Sequence, residues 1–174
     1  TSNGADGECG DHASVDVCPS DQRVSAGRGP VVLLMVDGLR PDALEDACRE
    51  GGAKALYLIP THHNPTTAVM PEDRRREIVR VARAHGLAVV EDDVHGLLPE
   101  VRPQPIAALA PERSYYLTST SKTLAPGLRI AYVAAPPAMV PRLAASLRAT
   151  TWAVAPLTAA VASTWIGNGT ADSL

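Results

Sequence analysis

The sequence predicts an α/β fold, with a mainly parallel β-sheet and helices on both of its faces. Short apolar runs of strand length alternate along the chain with segments of helical periodicity, which is the pattern of βαβ units. The runs are apolar almost throughout, as in strands that are buried on both sides of a parallel sheet. With 174 residues, of which 45% are hydrophobic and 20% charged, the chain is long enough to form a globular core.

Residues 1–29 are rich in Gly, Ser and Asp and show neither strand nor helix periodicity, so we expect irregular chain there. Residues 30–174 are expected to form one α/β unit. Its first elements are a strand in VVLLMV (31–36), a helix in PDALEDACREGG (41–52) and a strand in ALYLI (55–59). The proline that opens this helix and the glycines that follow it are typical of helix ends.

The segment PEDRRREIVRVARAHG (71–86) predicts the clearest helix. A proline and two acidic residues open it, and the acidic side chains face the positive end of the helix dipole. Ile78, Val79 and Ala82 form one apolar stripe, which predicts the buried side of the helix. Gly86 supplies the stop.

The rest of the chain predicts three more strands and two helical regions. They are strands in LAVV (87–90), YYLTS (115–119) and RIAYVAA (129–135), and helices over 141–150 and most of 151–166. The 23 residues between Arg148 and Asp172 carry no charge, and this length could span a bilayer. Pro156 and the frequent Thr and Ser residues favour a helix of a soluble protein instead, so we expect no membrane partner.

Charge and cysteine content limit the class of protein. A net charge of −3 and 3% aromatic residues argue against a nucleic-acid surface, which needs clustered cations or aromatic side chains that stack on bases. Cys9, Cys18 and Cys48 form no C-x-x-C pair, and the first residues lack a signal-peptide pattern. We therefore expect a reduced, cytoplasmic protein that binds no nucleic acid through this segment.

Polar side chains follow several of the predicted strands. They are Asn64 in the loop after ALYLI, Asp92 after LAVVE, Ser119 and Lys122 after YYLT, and Arg129 seven residues further on. In an open α/β sheet, ligands bind outside the carboxyl ends of the strands. Polar groups that meet there from separate strands are typical of a small-molecule site.

Three segments resemble a known family. ALYLIPTHHNPTT, AVVEDDVHGLL and YYLTSTSKTLAPGLRIAYVAAPP are similar to the fold-type I pyridoxal-phosphate (PLP) enzymes of aminotransferase classes I and II. The strongest likeness is to the aminotransferase-like domain of the GntR-type (MocR group) bacterial regulators. The resemblance implies that residues 30–174 are part of the large, PLP-binding domain of an aminotransferase. Such an enzyme moves an amino group between an amino acid and a 2-oxo acid.

The resemblance also implies a role for each site residue. Lys122 would form the Schiff base with PLP and then carry the proton between substrate and cofactor. Asp92 would keep the pyridine nitrogen protonated, because a nearby anion raises the pKa of that group. Glu91 and Asp93 are neighbouring candidates for this role. The other contacts implied are from Asn64 to the 3′ oxygen, and from Ser119, Ser121 and Arg129 to the phosphate.

His95 departs from the family's pattern, which has Tyr three residues after the aspartate. The imidazole N–H could donate to the 3′ oxygen in place of the tyrosine hydroxyl. Imidazoles ordinarily titrate near neutral pH, so the absorbance of bound PLP should then depend on pH at about 6–7. The dependence should disappear in His95→Phe.

Two other functions remain open on the sequence. A non-catalytic effector domain of a transcriptional regulator, which senses PLP or an amino-acid adduct, would use the same residues. A metal-dependent hydrolase could use His62, His63, Asp92, Asp93 and His95, since mixed His and carboxylate ligands suit Zn, Mn or Fe. However, there is no HExxH motif, and adjacent histidines point apart in an extended chain, so we expect no metal site.

A complete domain of this family is considerably longer than this chain. We find neither its phosphate-binding helix N-terminus nor the arginine that holds the substrate carboxylate, so the chain resembles part of an aminotransferase with impaired activity. Substrate positioning of this kind can supply about 7–11 kcal/mol of a barrier. The family builds its active sites at a dimer interface, which implies a homodimer for the complete protein.

Overall fold

The computed structural model describes residues 32–34, 40–51 and 53–173. The irregular chain expected for residues 1–29 lies outside these ranges, as do Cys9, Cys18 and part of the strand predicted over residues 31–36.

Five strands of the described chain form one sheet, in the order in which they occur in the sequence. They are β1 (Val32–Leu34), β2 (Ala55–Leu58), β3 (Ala88–Asp92), β4 (Ser114–Ser119) and β5 (Ala131–Ala134). β1 to β4 are parallel, and β5 pairs antiparallel with β4. The predicted α/β class with a mainly parallel sheet is confirmed. β3 extends beyond the apolar run that predicted it, so Glu91 and Asp92 belong to the strand.

Five α-helices accompany the sheet in these ranges. They are α1 (Pro41–Gly51), α2 (Glu72–His85), α3 (Ile106–Leu109), α4 (Val140–Thr151) and α5 (Pro156–Gly167). The helices predicted over residues 41–52 and 71–86 are confirmed as α1 and α2. The helical region predicted after residue 141 is divided into α4 and α5 by a short non-helical segment. Helix α3 was not predicted, because four residues are too few to show a period.

The main core lies between one face of the sheet and the helices α1, α2 and α3. Because successive strand residues point to opposite faces, Leu56, Leu58 and Val89 share the buried side. They form one cluster with buried helix residues, namely Leu44, Ile78, Val79, Val81, Ala82 and Ile106. Right-handed connections between neighbouring parallel strands place successive helices on the same face. The opposite face, with Tyr57 and Val90, is only partly buried in the described part of the chain.

Gly86 ends α2 as expected. Its φ is +68°, in the left-handed region, and its N–H donates to the carbonyl of Ala82. Glycine adopts this conformation without a Cβ clash, which is why it commonly ends helices. The chain then enters β3 directly and carries Asp92 to the end of the sheet.

A second, smaller core joins the loop after β4 to α5. Leu128, Ile130 and Ala162 are buried together, and Trp165 packs against them. Apolar side chains of α4 and α5 remain exposed, among them Leu143, Leu147, Leu157 and Ile166. None of the described helices combines the length and the apolar character needed to cross a bilayer.

Candidate functional site

Three loops leave the sheet at the carboxyl ends of β2, β3 and β4, and we call these strand ends and loops the carboxyl edge. Since the three strands are parallel neighbours, their ends meet on one side of the sheet. The loop after β2 carries Asn64, the end of β3 carries Asp92, and β4 ends at Ser119. Cross-strand pairing sets Asp92 opposite Leu117, two residues before Ser119. The structure therefore brings the polar groups expected of the site to one edge.

Asp92 accepts hydrogen bonds on both carboxylate oxygens. The hydroxyl of Tyr57 donates to Oδ2 over 2.5 Å, and the N–H of Val94 donates to Oδ1 over 3.3 Å. Burial, together with this bond to Asp92, raises the pKa of Tyr57 to about 12. Sequence reasoning missed Tyr57, because within ALYLI it stands as one residue of an apolar strand.

The neighbours of Asp92 have different surroundings. Glu91 lies on the opposite face of β3, where it is fully buried and accepts N–H bonds from Ile106 (3.0 Å) and Ala107 (2.7 Å) at the start of α3. Burial raises the pKa of Glu91. Asp93 is also buried and accepts a bond from the hydroxyl of Tyr116 over 2.6 Å. Of the three carboxylates, Asp92 alone is only half-buried, and it shares a face of the sheet with Tyr57.

Arg75 joins the Asn64 loop to the end of β3. It is fully buried and donates to the carbonyls of Pro60 and Met70, each over 2.9 Å, which are the two ends of the loop that contains Asn64. The guanidinium lies 3.6 Å from the carboxylate of Glu91. Sequence reasoning missed this residue because it stands in an arginine run, although it precedes Ile78 by three residues and so belongs to the apolar stripe.

The Asn64 loop has a tight, defined backbone. The Asn64–Pro65 peptide bond is cis, and Asn64 itself is exposed. His63 is buried, with Nδ1 3.0 Å from the hydroxyl oxygen of Thr66. His62 has φ +55°, and its ring centroid lies 6.1 Å from that of His95. The loop thus approaches the chain that follows Asp92.

His95 has a buried ring nitrogen without a partner. Its Nδ1 makes no hydrogen bond with any residue that the structure describes. The turn around it is tight, because a Cβ on Gly96 would come within 1.9 Å of the Asp93 carboxylate, so only glycine fits there. A buried polar atom without a partner in a loop beside Asp92 is compatible with a ligand that supplies the missing hydrogen bond.

The loop from Thr120 to Ile130 holds the predicted lysine and arginine. Thr120 closes it, since its N–H and its hydroxyl both donate to the carbonyl of Ile130, over 3.0 and 3.2 Å. The carbonyl of Thr120 accepts the N–H groups of residues 124 and 125, which makes a compact turn. Lys122 is exposed within this turn, and Ser121 beside it is half-buried.

Arg129 adopts a left-handed backbone conformation, with φ +53° and ψ +36°. Its neighbours Leu128 and Ile130 are buried, whereas Arg129 is exposed. Non-glycine residues in this region are strained and cluster at ligand sites. The two buried neighbours therefore act as anchors that hold the arginine at the carboxyl edge.

The residues considered for a metal site have other surroundings. Among the residues that the structure describes, no group of three or more His, Cys, Asp or Glu side chains is placed to hold a metal ion. His63 bonds to Thr66, and Asp93 to Tyr116, so two of the residues considered for the hydrolase alternative have other partners.

Comparison with known proteins decides the family. The sequence model of aminotransferase class I and II matches residues 23–170, which is most of the chain. The chain belongs to this aminotransferase family. The family implies pyridoxal phosphate as the cofactor.

Curated relatives of the chain fall into two groups. YdeF of Bacillus subtilis, an HTH-type transcriptional regulator, is 43% identical over 100 residues, which cover 58% of this chain and 22% of YdeF. The 2-aminoadipate transaminase of Thermus thermophilus is 39% identical over 108 residues, which cover 59% of this chain and 27% of that enzyme. The chain thus spans about a quarter of the length of the curated relatives that it matches.

Solved structures agree with the family. The α-aminoadipate aminotransferase LysN of Thermus thermophilus, in complex with N-(5′-phosphopyridoxyl)-L-leucine, matches with a TM-score of 0.70 and 31% identity, over 75% of this chain and 35% of LysN. The multiple substrate aminotransferase of Thermococcus profundus matches with a TM-score of 0.74 and 28% identity, over 80% of this chain and 37% of that enzyme.

Proposed function

We propose that the carboxyl edge binds PLP, with Lys122 bonded covalently to the cofactor aldehyde and Asp92 beside the ring nitrogen. One observation carries the proposal: Asp92 ends β3 and the Lys122 turn follows β4, its hydrogen-bonded parallel neighbour, so they stand on one edge of the sheet. When bound, PLP supplies an electron sink for electrons from the bond that is broken next to the substrate amine. The family match supports this choice of cofactor.

The residues at the edge fit such a group. Asp92 retains acceptor sites beyond its two hydrogen bonds, because a carboxylate offers about four. The exposed guanidinium of Arg129 offers a planar set of donors for phosphate oxygens, and Ser119 and Ser121 offer hydroxyl groups. Asn64 and His95 would donate to the 3′ oxygen.

Lys122 and Asp92 would have different roles in the proposed reaction. Lys122 would hold the cofactor, and its amine, when free, would move the proton at the substrate carbon. Asp92, as an anion, keeps a proton on the ring nitrogen. The reaction proposed is the transfer of an amino group between an amino acid and a 2-oxo acid, which is supported by the aminotransferase relatives.

A second function has specific support. Several relatives, among them YdeF and YisV of Bacillus subtilis, are HTH-type transcriptional regulators. The alternative is therefore a non-catalytic effector domain that binds PLP and an amino acid through the same residues. Both functions require covalent PLP binding at Lys122, and they differ in whether the amino group of a bound amino acid is transferred to the cofactor.

Absorbance spectroscopy tests both functions. Wild type mixed with PLP should develop a visible band that persists after removal of free PLP, and Lys122→Ala should not. The chain has a second lysine, Lys54, which is exposed and precedes β2, at the end of that strand opposite the carboxyl edge, so Lys54→Ala is the matched control and should keep the band. A band that persists in Lys122→Ala, or is absent from wild type, would refute the proposal.

Amino-acid addition then separates the enzyme from the sensor. A catalyst should convert bound PLP to the pyridoxamine form and release a 2-oxo acid in equal amount. A sensor should change its spectrum without releasing the oxo acid. Enzymatic or mass-spectrometric assay of the oxo acid, over a panel of amino acids, decides between them.

We also propose a homodimer for the complete protein. The exposed apolar side chains on α4 and α5, such as Leu147 and Leu157, support it, because monomers rarely expose many such residues together. Sedimentation should give a dimer for wild type and a monomer for the Leu147→Glu, Leu157→Glu double variant. A monomeric wild type would refute this part of the proposal.

A further inference from the structure

We propose that Tyr57 is a positioning residue for Asp92, whose hydroxyl stabilises the ionised carboxylate and thereby keeps the ring proton of bound PLP on nitrogen. The inference rests on the proposed function, because it assigns Asp92 to the ring nitrogen. It adds to the site a strand residue of the segment ALYLIPTHHNPTT to which the resemblance assigns no role. Tyr57 would act only through Asp92.

Strand pairing places the two side chains together. Tyr57 on β2 is opposite Val90 on β3, and Asp92 is two residues further along β3 on the same face of the sheet. The hydroxyl oxygen lies 2.5 Å from Oδ2 of Asp92. Both residues are half-buried, so water competes for this bond less than at the surface.

The hydrogen bond from Tyr57 should make Asp92 a weaker proton acceptor. A hydroxyl that donates to an ionised carboxylate stabilises the charged form and weakens its hold on a proton. A weaker proton acceptor beside the pyridine nitrogen leaves the proton on the ring, which is the form that withdraws electrons. Loss of the hydroxyl should therefore move the shared proton from the ring nitrogen toward Asp92.

The adjacent carboxylate provides a matched control. Tyr116 on β4 donates to Asp93 over 2.6 Å, so the structure contains a second tyrosine–aspartate bond one residue away. Both tyrosines are partly buried, and burial raises the pKa of each. Substitution of either tyrosine by Phe removes only the hydroxyl oxygen. Only Tyr57→Phe removes a contact from Asp92.

The first test needs no cofactor. Between pH 9 and 11, with circular dichroism used to verify the fold, tyrosine ionisation is followed by absorbance near 295 nm. Asp92→Asn removes the negative charge next to Tyr57, so this variant should gain ionisation in that range, and the Tyr57→Phe, Asp92→Asn double variant should lack the gain. Identical titrations of wild type and Asp92→Asn would overturn the inference.

The second test uses PLP labelled with ¹⁵N in the ring. The nitrogen signal of bound PLP should move toward that of unprotonated pyridine in Tyr57→Phe and stay unchanged in Tyr116→Phe. An equal movement of the signal in both variants would indicate a general structural disturbance and would contradict the inference. Wild type that binds labelled PLP, with an unmoved signal in Tyr57→Phe, would refute the inference alone. Wild type that does not bind labelled PLP would refute the proposed function, and this inference with it.

Discussion

The three consecutive carboxylates, Glu91, Asp92 and Asp93, have different surroundings and different hydrogen-bond partners. Strand alternation turns Glu91 to the helix side, where it accepts the first N–H groups of α3. Asp93 leaves the strand and bonds to Tyr116. Only Asp92 combines a position at the strand end with a half-buried carboxylate. We therefore propose Asp92, rather than its two neighbours, as the residue that faces a ligand.

Arg75 should contribute most to stability among the arginines of α2. We expect Arg75→Met to lower the free energy of unfolding by about 3–5 kcal/mol, because it removes the hydrogen bonds to the Asn64 loop and leaves the buried Glu91 without its positively charged partner. Arg76→Met is the control. Arg76 is exposed and pairs with Glu72 on the same helix, so its loss should cost about 0.5 kcal/mol or less. Urea denaturation measures both, and equal effects would contradict this account of Arg75.

At Arg129, the substitution that favours stability should still weaken PLP binding. Arg129→Gly relieves the left-handed backbone, whereas Arg129→Ala keeps it, so we expect the Gly variant to be more stable by about 1 kcal/mol. Both variants lose the guanidinium and should bind PLP more weakly. Thermal unfolding and PLP titration measure the two effects. An Ala variant as stable as the Gly variant would show that the left-handed backbone at Arg129 is not strained.

The sequence allowed most elements to be predicted but few of the contacts between them. Apolar runs and the α2 stripe indicated the strands and the long helices, because burial of one face leaves a period in the sequence. The bonds of Tyr57 to Asp92 and of Arg75 to the loop ends depend on register and on chain segments far apart. No local pattern records them. Helix α3 was missed because a single turn has no period.

Helix α2 stands between the Asn64 loop and β3 and contacts both. Its buried side packs in the main core and its Arg75 holds the Asn64 loop, while its C-terminus leads directly into β3. The position and length of this helix therefore affect both the loop before it and the strand after it.

Gly86 should be required for a correct end of α2. We expect Gly86→Ala to lower the free energy of unfolding by about 1 kcal/mol, because alanine is strained at φ +68°, although no atom lies within 4 Å of the added Cβ. Gly167→Ala, at the end of α5 and equally free of contacts, is the control and should be nearly neutral. Guanidinium denaturation measures both. A neutral Gly86→Ala would show that the left-handed end is dispensable.

The molecule as a whole has two unequal sides. Helices α1 to α3 cover one face of the sheet, while the opposite face, β5 and much of α4 and α5 remain partly or fully exposed in the described residues. The carboxyl edge lies where loops from three parallel strands meet. Its polar residues come from segments that are distant in the sequence, so an intact sheet is a condition for the site.

The proposed function depends on covalent attachment of PLP to one lysine at this edge. The most direct test is to incubate wild type with PLP, reduce with borohydride, and map the modified peptide by mass spectrometry. The chain has only two lysines, Lys54 and Lys122, so the assignment is unambiguous. We expect the pyridoxyl label on Lys122, with labelling strongly reduced in Asp92→Asn. A label found equally on Lys54, or on neither lysine, would contradict the account.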